Sequence, residues 1–253
     1  MNNGEVSIQG RQAMTVIRKN ILTAFIVCLF ACAGAAEIPV FCNDDKTFEY
    51  TASPVMSIAV CGGCVKGEFS SKNSSIYYEN GSLVFKYPAD GVLSFPSAGN
   101  IPVSEGTIMF ELAYTFDTAV EIDALKQTGK WSFMHTVFSS GINNTGFRLF
   151  FETQKTLSPA EIRITVMNSS QPYKWQYYGV NLKKEKYPAG KIFKCGFSWK
   201  NSEIAILADD NIVYRGDMKT APVWGDKLQI GGTGQESFCG SIKSMKIYKK
   251  AAF

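Results

Sequence analysis

From Thr47 onward, apolar residues recur at every second position in short runs rich in β-branched and aromatic side chains. Alternation of this kind puts one row of side chains on each face of a strand. The runs predict strands over Val55–Val60, Ser75–Tyr78, Ser82–Tyr87, Gly91–Phe95, Thr107–Thr115, Ser132–Phe138 and Phe147–Glu152. Further strands are expected at Ile162–Met167, Tyr173–Val180, Ile192–Trp199, Glu203–Leu207, Ile212–Arg215, Leu228–Ile230 and Ser241–Tyr248. Turn formers separate them, among them Asn80-Gly81, Asp90-Gly91, Asn144-Thr145-Gly146, Asn201-Ser202 and Asp209-Asp210-Asn211, residue types that tolerate the positive φ of tight hairpins. Only Ile122–Gln127 and the Pro159-Ala160-Glu161 corner read as locally helical, and neither is long enough for a helix layer. About fourteen short strands in about 200 residues exceed an immunoglobulin-type sandwich. The expected fold is therefore all-β: a two-sheet antiparallel jelly-roll sandwich with six or seven strands per sheet.

The alternation is absent from the first 36 residues. Ile21–Ala36 (ILTAFIVCLFACAGAA) is uncharged and apolar, follows Arg18-Lys19, and ends in small residues before Glu37. A basic stretch, an apolar stretch and an Ala-x-Ala-type end describe a secretory signal peptide. The 16-residue run is shorter than the roughly 20 residues a spanning helix needs. Residues 1–36 are thus expected to be a signal peptide, with Met14 a candidate start, and 37–253 a single sandwich domain in a secreted or cell-envelope protein. Lipidation at Cys32 is the variant reading, although Phe30 fits that pattern poorly.

Composition narrows the functional classes. Apolar residues make up 45% of the 253-residue chain and charged residues 19%, a globular balance. Cleavage after residue 36 would remove three basic residues and one acidic one, leaving 23 and 21. So even a charge balance, with no basic run, argues against a nucleic-acid surface. Export would permit disulfides. Of the seven cysteines, Cys42, Cys61, Cys64, Cys195 and Cys239 would remain, an odd number that leaves at least one thiol unpaired within the chain. Cys61-Gly-Gly-Cys64 lies between extended segments rather than opening a helix, so a thioredoxin-like site is not signalled. Cys195 and Cys239, both in predicted strands of the last third, form the candidate disulfide.

Several stretches resemble a known family. Gly91–Pro96 (GVLSFP) followed by Ile101–Phe110 (IPVSEGTIMF), Phe197–Tyr214 (FSWKNSEIAILADDNIVY), and Leu228–Gly232 (LQIGG) with Phe238–Tyr248 (FCGSIKSMKIY) are similar, in that order, to the strands of laminin-G-like domains of the concanavalin A-like lectin/glucanase superfamily. The resemblance spans roughly Ser82 to Tyr248 and implies the jelly-roll fold far more strongly than any one function. Retaining glucanases of that superfamily place two carboxylates on one strand, about 5 Å apart. Glu121-Ile122-Asp123 imitates the beginning of that motif, but Lys126 holds the place of the acid/base glutamate, and the segment follows the loop-like Asp117-Thr118-Ala119 well before the strand where those enzymes keep the pair. A lysine cannot protonate a leaving oxygen as a carboxylic acid does. No catalytic residue is assigned.

Other chemistries find less support. His135, the one histidine, falls in a strand on the same face as Trp131, Phe133 and Val137, where a hydrogen-bonded packing role is expected. Gly231-Gly232-Thr233-Gly234 lacks the lysine and the following helix of a phosphate loop. A structural Ca²⁺ of the kind lectin-like jelly rolls carry would draw on loop oxygens such as Asp90, Asn100, Glu105, Asp209 and Asp210, though none forms a spaced motif. The segment Gln171–Gly179 (QPYKWQYYG) is the one aromatic cluster that strand composition leaves unexplained. Within a strand, Tyr173, Trp175 and Tyr177 would share one face, which suits either a sugar platform or the inter-sheet core. With the resemblance, this implies an exported non-catalytic module binding a glycan, or else a cell-surface or extracellular protein. A hydrolase or lyase with an unrecognised acidic pair, and a structural interaction module, are the competing readings. Sequons at Asn73, Asn80, Asn143 and Asn168 would matter in a glycosylating host.

Overall fold

The computed structural model describes residues 45–253 except 53–57, 61–63, 67, 72–74, 88–90, 141–145, 172–173, 222 and 233–235. The proposed leader, Cys42 and Cys61 lie outside the described residues. In chain order the strands are β1 Lys46–Thr51, β2 Ile58–Val60, β3 Cys64–Lys66, β4 Glu68–Ser71, β5 Ile76–Glu79, β6 Ser82–Phe85, β7 Gly91–Pro96 and β8 Glu105–Tyr114. After helix α1, Thr118–Thr128, come β9 Ser132–Ser140, β10 Gly146–Gln154, β11 Glu161–Ser169, β12 Gln176–Lys183 and β13 Phe193–Lys200. The last four are β14 Glu203–Ala208, β15 Asn211–Asp217, β16 Lys227–Ile230 and β17 Gly240–Tyr248.

Among the described residues these strands make two antiparallel sheets. One runs β15-β14-β13-β8-β17-β1-β2-β3, with the β5–β6 hairpin also paired to β17, and the other runs β12-β11-β10-β9-β16-β7-β4. This is the all-β sandwich expected, with short strands β1, β3 and β4 in addition to the predicted set. Period-2 alternation builds its core. Ile108, Phe110, Leu112 and Tyr114 of β8, and Phe193, Cys195, Phe197 and Trp199 of β13, face Phe147, Leu149 and Phe151 of β10 and Ile162, Ile164 and Val166 of β11. Rings interlock across the gap: Phe147 stacks on Phe197 at 5.2 Å, and Tyr114 meets Phe151 at 5.7 Å. In β9 a register shift beside Val137 interrupts the alternation, so Val137 and Phe138 both enter the core.

Turn chemistry sets the hairpins. Asn80 and Gly81 both have positive φ between paired Glu79 and Ser82, as do Asp209 and Asp210 between Ala208 and Asn211, which is the I′ geometry that suits strand twist. At Gly240 the requirement is space: a Cβ there would lie 2.1 Å from the Ala113 carbonyl oxygen, where β17 meets β8.

Two expectations are corrected. The helix expected over Ile122–Gln127 is longer, Thr118–Thr128, and takes in Glu121 and the Thr118-Ala119 stretch read as a loop. Asp117 caps α1 by accepting from Ala119 N at 2.8 Å, and Gly129 ends it in the left-handed conformation, its N–H donating to Leu125 O. Ile122 and Leu125 are buried. The Cys195–Cys239 disulfide is absent, both residues being free thiols. Cys195 of β13 pairs with Phe110 of β8, while Gly240 of β17 pairs with Tyr114 of β8, so β8 runs between the two cysteines. Two interstrand spacings, roughly 9–10 Å, already exceed the ~7 Å Cα separation a disulfide tolerates. Cys239 Sγ instead lies 3.4 Å from Thr115 Oγ1.

Candidate functional site

Strand β12 turns its aromatic pair to opposite sides. Tyr178 is buried in the inter-sheet core, and its hydroxyl donates to Gln176 Oε1 at 2.5 Å. Tyr177 points outward and is 59% exposed. Trp175, just ahead of the strand, is half-buried. Tyr173 lies outside the described residues.

Registry puts charged side chains beside Tyr177. Because Phe147, Leu149 and Phe151 of β10 face the core, Arg148 and Glu152 stand on the outer face. Arg148, Met167 and Tyr177 form one cross-strand row, and Glu152, Arg163 and Asn181 form another. Arg148 Nη1 donates to Glu236 Oε2 at 2.9 Å, and its guanidinium carbon lies 5.4 Å from the centre of the Trp175 ring, a cation–π distance. Arg163 Nη1 donates to Asn181 Oδ1 at 2.9 Å. Its Nε is 3.4 Å from Glu152 Oε2 yet makes no hydrogen bond, so that contact is ionic. Glu152 is only 7% exposed, and its Oε2 also accepts from Thr165 Oγ1 at 3.1 Å; polar atoms buried this deep need such partners.

Gly179 makes room for this arrangement. A Cβ there would sit 2.4 Å from Arg163 Nη2, so the guanidinium rests on bare backbone. The Tyr177 hydroxyl is held above its ordinary pKa of 10 mainly by partial burial, with Glu152 and Glu236 adding to the effect and Arg148 opposing it. It therefore keeps its proton at neutral pH and can donate a hydrogen bond, set among two carboxylates and a guanidinium. Glu236 also borders an open depression of about 360 Å³ lined by Lys130, Trp131, Ser132, Phe133 and Met134. Trp131 is 63% exposed there. Rings, fixed donors and fixed acceptors thus share one solvent-facing surface, the equipment for holding a polyhydroxylated ligand.

Sequence reasoning named Trp175 and Tyr177 as candidates but did not name Arg148, Glu152, Arg163, Glu236 or the exposure of Trp131. The signal for three of these was present: alternation in FRLFFETQ and EIRITVMN puts Arg148, Glu152 and Arg163 on the polar face. Glu236, 88 residues from Arg148, left no such trace.

The other candidates are engaged in structure. Glu121 Oε1 lies 2.8 Å from His135 Nε2, and Glu121 Oε2 accepts from Thr153 Oγ1 at 2.5 Å. His135 is buried and stacks on Phe116 at 4.0 Å, the packing role expected of it. Asp123 pairs with Lys126 on the exposed side of α1. Of the calcium-type oxygens, Asp210 pairs with Lys194 at 2.7 Å, Glu105 with Lys200 at 3.1 Å, and Asp90 lies outside the described residues. Gly231 N donates to Val137 O in a turn, of which Thr233 and Gly234 lie outside the described residues.

No family model matches the chain, and no curated protein matches it in sequence. Its fold is similar to that of solved structures. The binding domain of botulinum neurotoxin DC in complex with rat synaptotagmin II superposes with a TM-score of 0.56 at 12% identity, over 83% of this chain and 49% of that one. Domain 4 of AbnA, a GH43 extracellular arabinanase from Geobacillus stearothermophilus solved with arabinotriose, gives 0.55 at 14%, over 82% and 93%. Trypanosoma rangeli sialidase, bound to a difluorinated keto-deoxy-nononic acid, gives 0.54 at 11%, over 85% and 31%. At these identities the likeness is one of fold, and the chain spans about half the length of the neurotoxin binding-domain chain.

Proposed function

We propose that the chain is an exported, non-catalytic carbohydrate-binding module of the laminin-G-like branch of the concanavalin A-like superfamily, and that its ligand lies on the outer face of the β12-β11-β10-β9 sheet. The observation that carries this reading is the outward Tyr177 beside the Arg148-backed Trp175 ring. Sugar C–H faces stack on such rings, and hydroxyls find charged donors and acceptors at Arg148, Glu152, Arg163 and Glu236. The fold neighbours support it, since the AbnA domain was solved with arabinotriose and a neurotoxin binding domain with SialylT. The neurotoxin domain solved with synaptotagmin favours a protein ligand as the second reading.

The test is a glycan array run with the exported protein, followed by Trp175→Ala and Tyr177→Ala. Each substitution should weaken binding by roughly 1–3 kcal/mol and leave the unfolding midpoint of the sandwich unchanged. A wild-type protein that binds no glycan, or binds equally well without both rings, would refute the assignment.

A further inference from the structure

The charge pattern of this face selects among glycans, an inference that rests on the carbohydrate-binding reading above. Two guanidinium groups and two carboxylates occupy it, and each guanidinium already faces a carboxylate: Arg148 with Glu236 at 2.9 Å, Arg163 with Glu152 at 3.4 Å. Lys183, at the neighbouring rung of β12, is likewise held by Glu161 at 2.6 Å. Lys174, beside Trp175, and Lys130, which lines the depression at Glu236, are both exposed, where water screens them.

We infer that the ligand is an uncharged glycan and that the face disfavours sugars bearing a carboxylate. A hydroxyl is donor and acceptor at once. It can enter beside an Arg–Glu pair, donate to the carboxylate and accept from the guanidinium, and leave the pair intact. Two vicinal hydroxyls would do this at both atoms of the fork. A sugar carboxylate can only accept, so it must compete with Glu236 for Arg148 or with Glu152 for Arg163. Glu152 cannot swing aside, because it is buried and held by Thr165 and Arg163. The incoming anion would lie against a fixed anion in a partly desolvated site, where like charges repel most strongly. Glu236, with a side chain 46% exposed, is the carboxylate that can move or be removed.

Titration calorimetry on the full protein decides the matter with matched probes. These are galacto-oligosaccharides with and without terminal sialic acid, and galactan fragments against oligogalacturonides. The neutral member of a pair should bind about tenfold or more tightly than its acidic counterpart, and its Kd should change less than about threefold between 50 and 500 mM salt. Glu236→Gln, which leaves Arg148 without its carboxylate, should narrow the neutral-to-acidic ratio. Tighter binding of the acidic member, or a neutral-ligand Kd that climbs tenfold with salt, would overturn the charge selection while leaving glycan binding in place. Absence of binding across both panels would overturn the carbohydrate reading and this inference together.

Discussion

Glu121 on α1 and His135 on β9 meet through a 2.8 Å Oε1···Nε2 hydrogen bond, and the second Glu121 oxygen accepts from Thr153 on β10. One carboxylate therefore moors the helix to two strands at once. Glu121→Ala would strand two buried polar groups, so we expect a loss of about 1–3 kcal/mol in urea unfolding. Glu121→Gln, which keeps an acceptor and a donor in place, should cost less than half as much. Equal losses for both variants would show that the mooring lies elsewhere.

Gly179→Ala separates site geometry from stability. The added methyl meets the end of the flexible Arg163 side chain rather than backbone, so the fold should persist with its midpoint little changed. Arg163 must shift off Gly179 and away from Glu152, and glycan affinity should fall by an amount close to that of Arg163→Ala. Gly240→Ala is the contrast. There the methyl would meet the Ala113 carbonyl, and we expect a loss of about 1–3 kcal/mol or more with thermal unfolding as the readout.

The thiols give a chemical test of the sheet order. Cys195 is completely buried and desolvation pushes its pKa well above the ordinary 9, whereas Cys239 is half-buried. Alkylation of the folded protein at pH 8 should label Cys239 slowly and Cys195 only after denaturation. Peptide mass analysis under non-reducing conditions should recover no Cys195–Cys239 linkage.

Acid stability has a defined contributor at Glu49. Its hydrogen bond to Lys46 and the nearby Lys246 hold its pKa below the ordinary 4.5, against a smaller opposing effect of burial. The unfolded chain thus binds more protons than the folded one near pH 4. The contribution is complete above the unfolded value and is lost as pH falls through the depressed folded value. Glu49→Gln should lower stability near pH 6 by less than ~1 kcal/mol, the range of surface ion pairs, and converge with wild type in acid. A difference that persists at pH 2 would contradict the ion-pair origin.

Alternation made most of the sandwich readable. In β8 and β13 every second residue enters the core, and the two-residue turns at Asn80-Gly81 and Asp209-Asp210 sit where their residue types required. The helix was shortened to Ile122–Gln127 because apolar spacing there is weak, although Asp117 and Gly129, its actual caps, mark both ends. Strand β1 escaped because its interior faces are Phe48 and Tyr50 alone. The site was half legible: a strand shows which face a ring takes, but the meeting of Arg148 with Glu236 depends on how a distant loop returns beside β9. The disulfide expectation failed for the same reason, since β13 and β17 belong to one sheet and still have β8 between them.

Strand β1 is hydrogen-bonded to β17, and Thr47 Oγ1 reaches Ile247 O across 200 residues of sequence. Strand β1 can pair locally with β2, but its link to the rest of the sheet waits until β17 has been made. Closing so long a loop is entropically slow, and the local β13–β14–β15 meander can form well before it. A ribosome-bound chain halted before Gly240 would leave the facing edges of β1 and β8 open, with the aromatic interior of the sandwich wet. Folding is then a single late event gated by synthesis of β17, and loss of that strand should leave a chain that aggregates rather than a smaller sandwich.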